Sequence, residues 1–264
     1  MTIKIQDVLD KLMEPVNKLE TTVDKLLFGD PSTEVKGIIV TFVASHDVLQ
    51  HAIDLGANLI ISHEGIFYSH QENGEHLKED PVYMEKRRFI EQSGVAIYRF
   101  HDYVHKYQPD GIMEGLIQEL DWNASIEKHH PTSAILTIPS MTVKEIAEYI
   151  KEKLGISFVR VIGDLSLRCT RIGLLAGYRG GGDLTIPLIQ QENLDLILYG
   201  EGPEWETPEY IRDAHEQNRK KAAILIGHAA SEEPGMKHLA EGMKSLFPSI
   251  PVHFISEKNP IQFL

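Results

Sequence analysis

Asn58-Leu59-Ile60-Ile61-Ser62-His63-Glu64-Gly65 passes without a break from aliphatic residues into a histidine and a carboxylate. A short β-branched run with no polar alternation describes a strand covered on both faces, as in parallel sheets. Ahead of it, Ser45–Leu55 places apolar residues at helical spacing behind a serine suited to cap them. The same rhythm extends along the chain. Strands are expected at Gly37–Val43, Asn58–Ser62, Val95–Phe100, Ala134–Ile138, Phe158–Ile162, Arg171–Ala176, Leu194–Tyr199, Ala222–Gly227 and Pro251–Ile255. Helices are expected at Ser45–Leu55, Pro81–Gln92, Asp110–Leu120, Thr142–Leu154, Pro208–Lys220 and Gly235–Leu246, with an amphipathic helix at the N-terminus. Such alternation implies an α/β fold. The polar segment Asp121–Ser133, with Pro131, marks the expected boundary. Two similar α/β halves with mixed sheets follow, residues 1–128 and 129–264, and the cleft between them is where a metal site is expected.

Composition narrows the chemistry. A formal net charge of -13 argues against nucleic acid or an anionic membrane as the main partner. Hydrophobic residues at 42% and charged residues at 25% are ordinary for a globular protein of 264 residues. The N-terminus lacks the features of a signal or transit peptide, and no apolar run reaches membrane-spanning length. A cytoplasmic location is therefore expected. The single cysteine, Cys169, excludes an intrachain disulfide and a Cys-rich zinc site. Any metal must be held by imidazole and carboxylate, donors that suit zinc, iron, manganese or nickel.

In α/β sheets ligands gather beyond the carboxyl ends of strands. Here one strand runs into His63 and Glu64, a second into His101 with His105 four residues on, and a third into His228 with Glu232 four residues on. A fourth ends at Gly200 and Glu201. Taken singly, each has a plainer account. A histidine after a strand is often a hydrogen-bonded loop residue, and Glu232 fits the first turn of a helix. Three such motifs at three strand ends favour a shared site.

These stretches resemble a known family. Ala52–Gly65 is similar to the first signature of the Nif-three-like proteins, also known as the dinuclear metal centre hexamer family and as GTP cyclohydrolase I type 2 homologues. Gly94–His101 with His105 resembles the second signature, and Ile226–Glu232 the third, whose His-x-x-x-Glu pattern is intact. The resemblance covers nearly the whole chain in order. This sequence departs from it in three places. Glu64 replaces the second of two paired histidines, Gly65 replaces a proline, and His105 stands where aspartate is usual.

The resemblance implies two divalent ions per chain, of zinc, iron or manganese, held by His63, His101, His228 and Glu232, with Glu64 and His105 in the exchanged positions. His101 either binds or orients. It also implies a ring-shaped homo-hexamer and a small, nucleotide-like substrate, with opening of the GTP imidazole ring as the named activity. A metal-dependent hydrolase with Glu201 or Glu64 handling protons is the leading expectation. A non-catalytic metal-binding or regulatory scaffold is the alternative, and a nucleotide phosphatase or phosphodiesterase a third. The turn Gly177–Asp183 offers backbone amides, at Gly180 and Gly181, that would cradle an anion. A tight turn is its simpler role. His70 and His76 flank a polar loop over residues 71–75, placed to cover the site. His46, His51, His129, His130, His215, His238 and His253 are set aside as surface or core residues.

Overall fold

The computed structural model describes residues 2–71, 74–256 and 260–262, with backbone alone at 74 and 75. The expected loop over 71–75 thus lies partly outside the described residues. The chain begins with α1 (Ile5–Met13), β1 (Lys25–Phe28), β2 (Ile38–Thr41), α2 (His46–Asp54), β3 (Leu59–Ser62), α3 (Pro81–Ser93), β4 (Ala96–Arg99) and α4 (Asp102–His105). It continues through α5 (Gly111–Glu119), β5 (Ile126–His129), β6 (Ala134–Thr142), α6 (Val143–Leu154), β7 (Arg160–Ile162) and β8 (Arg168–Leu175). Last come α7 (Gly182–Gln191), β9 (Leu196–Tyr199), α8 (Thr207–Glu216), β10 (Ala222–Leu225), α9 (His228–Leu246) and β11 (Val252–Phe254). None of the described helices is long and apolar enough to cross a membrane.

The fold is α/β, with two mixed sheets in two compact units. One unit comprises residues 1–111 and 236–264, the other residues 112–235. The expected division at 128/129 falls within β5, which pairs with β6 as a hairpin in the second sheet. Trp122, in the segment read as a boundary loop, is buried and stacks on Tyr149 at 5.7 Å.

In the first unit the strand order is β1-β4-β3-β2-β11, parallel throughout except for β1. Every residue of β2, β3 and β4 is buried, as the unbroken aliphatic runs require. Register sets Thr41 beside Ser62 and Ser62 beside Arg99, so three parallel strands end in one row. Ser45 caps α2 by accepting from the Val48 amide at 3.3 Å. Asp80 caps α3 ahead of Pro81, and Gly94 ends it at φ 68°, where a side chain would be strained. Ile39, Leu49, Ile60, Ile90 and Ile97 are among the apolar residues packed here.

The second unit repeats the plan with the order β5-β6-β8-β9-β10-β7, its central strands β8, β9 and β10 parallel. Leu175, Tyr199 and Leu225 form its terminal row. Thr142 and Glu145 make a reciprocal capping box at the start of α6. Helix α9 begins at His228 rather than at Gly235. Proline and glycine at 234 and 235 suggest a helix start, yet the helix runs through them. A Cβ on Gly235 would meet the Ile112 backbone and one on Gly115 the Gly235 backbone, so α5 crosses α9 on glycine.

Cys169 is fully buried, and burial pushes its thiol up to about 12. Thiol reagents should leave the native chain unmodified for hours and label it at once in denaturant. Fast labelling of native protein would contradict this placement. Glu192 accepts from Lys128 Nζ at 2.8 Å, His130 Nε2 at 3.0 Å and Arg171 Nη2 at 3.1 Å. Lys128 foremost, then His130, hold its carboxyl at about 2, against an ordinary value of 4.5. A lowered folded-state value favours the native state above about pH 4.5, and that gain is lost as pH falls toward about 2. Glu192→Gln should therefore narrow its stability deficit across that window, read as urea midpoints from pH 6 to pH 2.

Candidate metal centre

The first unit builds its cluster from the ends of β3 and β4. β3 delivers His63, fully buried, and Glu64. β4 delivers His101, from which the single turn α4 carries the chain to His105. So short a helix does not hold itself. Asp24, far away in sequence, holds it: Oδ1 accepts from the amides of His101 at 2.8 Å and Asp102 at 2.7 Å, and Oδ2 from that of Tyr103 at 3.0 Å. Asp102 answers by accepting from the Val23 amide at 2.9 Å. These bonds fix the positions of both histidines.

Imidazole protonation follows from the partners. His63 Nδ1 donates to the Phe100 carbonyl at 3.2 Å, His101 Nδ1 to Asp102 Oδ1 at 2.9 Å, and His105 Nδ1 to Asp110 Oδ2 at 3.0 Å. Oxygens of these kinds only accept, so each Nδ1 carries the proton and each neutral ring keeps its lone pair on Nε2. The bond from His101, ahead of those from Val23 and Thr22, holds the Asp102 carboxyl well below the usual range. Ring centroids lie 4.5 Å apart for His63 and His101, 5.1 Å for His63 and His105, and 5.0 Å for His101 and His105. Ligand atoms of the three lie within 4.8 Å of one another. Three imidazoles gathered together, each ring held from behind by an oxygen, fit a divalent transition-metal ion.

Glu64 faces a different neighbour. Arg99, fully buried at the end of β4, donates from Nη2 to Glu64 Oε2 at 3.1 Å and to His70 Nδ1 at 3.1 Å. It also reaches the carbonyls of His63 and His70. Because guanidinium only donates, His70 carries its own proton on Nε2, opposite to the other three. Glu64, His70 and His101 form a second grouping of possible ligands within 4.8 Å, but a fixed cation already stands among them. Glu64 Oε1 turns the other way, 3.8 Å from His101 Nε2.

In the second unit, His228 and Glu232 sit one turn apart on α9, Nε2 to Oε2 at 3.1 Å. His228 Nδ1 donates to Glu201 Oε2 at 3.0 Å, which leaves Nε2 as its ligand nitrogen. Glu201 thus lies behind an imidazole. A Cβ on Gly177, at φ 66°, would run into the Glu232 carboxylate, and one on Gly200 into the Ser231 hydroxyl. The amides of the glycine turn are used within the unit. Gly177 donates to Ser231 Oγ at 2.9 Å, Gly180 to the Glu201 carbonyl at 2.9 Å, and Gly182 to Glu206 Oε2 at 2.7 Å. Gly180 abuts the Tyr199 ring and Gly181 is the N-cap of α7, so an anion, Glu206, already sits at that helix start.

Residues set aside from sequence mostly have structural work. His46 stacks on Phe89 at 4.3 Å, His51 bonds the Asp47 carbonyl, and His130 joins Glu192. His70, read as flanking a covering loop, instead meets Arg99 through Nδ1 at 3.1 Å. Sequence reasoning also passed over Arg99, Asp102, Asp110 and Asp24. An arginine inside an apolar strand and two aspartates in His101–Asp110 were signals to hand; Asp24 offered none.

A Clostridium perfringens protein named GTP cyclohydrolase 1 type 2 homolog is 24% identical over 276 aligned positions, covering 99% of this chain and 100% of that one. The crystal structure of the Staphylococcus aureus protein SA1388 superposes with a TM-score of 0.80 at 17% identity, covering 100% of this chain and 99% of that one. A Bacillus cereus protein related to NIF3 gives 0.75 at 14% identity, covering 100% and 99%. These structural likenesses establish a shared fold. A sequence model of one family matches residues 2–260, and the chain belongs to that family, Duf34/NIF3 (NGG1p interacting factor 3).

Proposed function

We propose that the chain binds two divalent transition-metal ions and acts as a metal-dependent hydrolase on a nucleotide-like substrate. The observation that carries this is the set of three histidines, each with Nδ1 bonded to an oxygen, whose ligand atoms gather within 4.8 Å. In the first unit His63, His101 and His105 supply nitrogen, and Glu64 offers Oε1. In the second, His228 and Glu232 form the other donor pair. Such ions, when bound, supply water activation and Lewis-acid polarisation. The chain's own part is orientation. Glu201 fixes the His228 ring, Arg99 holds Glu64, and glycine at 177 leaves room for Glu232. The nucleotide comes from the name carried by the relatives, and the six-subunit ring from the resemblance in sequence.

Elemental analysis of purified protein beside the His228→Ala variant tests the metal claim. About two ions per chain are expected, falling toward one in the variant. Less than one ion in replete wild type, or unchanged content in the variant, would sink it. For hydrolysis, metal-replete protein should release product from a panel of nucleotides. Metal content without turnover would support the scaffold alternative instead.

A further inference from the structure

We propose that the second unit carries a docking groove for an arginine-bearing segment of a partner protein, laid between α7 and α8. The groove uses none of the candidate metal ligands and goes beyond the hydrolase reading.

Two helix faces form it. α7 contributes Asp183, Ile186 and Pro187, one turn apart, and α8 contributes Tyr210 and Asp213 at the same spacing. Trp205, just ahead of α8, joins them, and the open cleft has a volume of about 630 Å³. At 75% exposed, Trp205 is the barest large hydrophobic side chain among the described residues. Its indole face is a platform on which a planar cation stacks. The polar groups beside it only accept. Asp183 and Asp213 make no side-chain hydrogen bond or ion pair with any described residue. Pro187 has no amide hydrogen for the Asp183 carbonyl one turn back, so that oxygen lacks its helical donor. Asp213 stands in the last turn of α8, where the helix dipole opposes a carboxylate. The neighbouring acids are already compensated: Glu206 accepts from the Gly182 amide at 2.7 Å, and Glu209 pairs with Arg212. No lysine, arginine or histidine is among the described residues lining the cleft. The complement of such a surface is both cationic and planar. Arginine combines the two, gripping carboxylates with its fork and indole with its face. Lysine would answer the charge without the plane, and a bare metal ion would leave the aromatic residues idle.

The test uses the full chain and an end-capped peptide of alternating alanine and arginine, with lysine and glutamate counterparts. The chain has two tryptophans and Trp122 is buried, so changes in emission and in acrylamide quenching report on Trp205. The arginine peptide should shield Trp205 and bind about threefold tighter than the lysine peptide, while the glutamate peptide leaves the indole unchanged. Asp183→Asn combined with Asp213→Asn should weaken arginine-peptide binding about tenfold, and Trp205→Ala, read by calorimetry, about threefold. These are surface substitutions, so melting temperatures should stay within about 2 °C of wild type. Equal binding of the arginine and glutamate peptides, or undiminished binding by the double variant, would overturn the proposal. Light scattering that shows smaller assemblies for Trp205→Ala than for wild type would assign this face to a second copy of the chain and overturn it too. Chelator-stripped and metal-loaded protein should bind the peptide alike, which keeps failure of the groove distinct from failure of the hydrolase reading.

Discussion

Arg99→Met is expected to destabilise the first unit by about 3–5 kcal/mol, enough to lower its melting temperature by roughly 10 °C. Arg99 is 0% exposed, and its guanidinium serves Glu64, the His70 ring and two backbone carbonyls together. Methionine fills much of the same space, so the cavity contribution stays small and the loss reports on charge and hydrogen bonds. Glu64, with 17% of its side chain exposed, would keep a carboxylate facing the vacated position. Arg87 and Arg88 give the contrast. Both pair with glutamates on the open face of α3, their side chains 49% and 61% exposed. Substituting either should change stability by less than about 0.5 kcal/mol. Equal melting temperatures for Arg99→Met and wild type would refute the assignment.

Asp24→Ala should cost about 3 kcal/mol and weaken metal binding by about 10- to 100-fold. One buried carboxylate accepts three consecutive amides here, at His101, Asp102 and Tyr103. Without it the first turn of α4 has no anchor, and both histidines it presents lose their fixed separation. Asp24→Asn keeps an acceptor oxygen and should fall between. Calorimetric metal titration alongside chemical denaturation separates the two consequences. Loss of stability with unchanged metal affinity would reduce Asp24 to a structural cap.

The parallel cores of both sheets were legible because their strands are continuous aliphatic runs, buried on both faces. β1 and β5 were not. Both are four-residue edge strands with no fully buried residue, β1 half-buried and β5 mostly exposed, and nothing periodic marks them. The cap residues Ser45 and Thr142 were readable because capping chemistry is local. Pro234 and Gly235 misled, since their helix continues under packing from α5. At the site, position after a strand pointed to His63, His101 and His228, but position carries no tautomer. Roles emerged only from partners such as Phe100, Asp102, Asp110 and Glu201. Glu201 shows the gap clearly: a carboxylate beyond a strand suggests a base, and nothing in the sequence signals its 3.0 Å contact with His228 Nδ1.

The second unit interrupts the first: residues 112–235 lie between the bulk of the first unit and its closing segment, 236–264. Strand β11 lies beside β2 although more than half the chain separates them. On the ribosome the usual N-to-C order of domain completion is therefore inverted. The second unit emerges whole while the first still waits for an edge strand. Until β11 arrives, β2 presents an unpaired edge open to pairing with another chain.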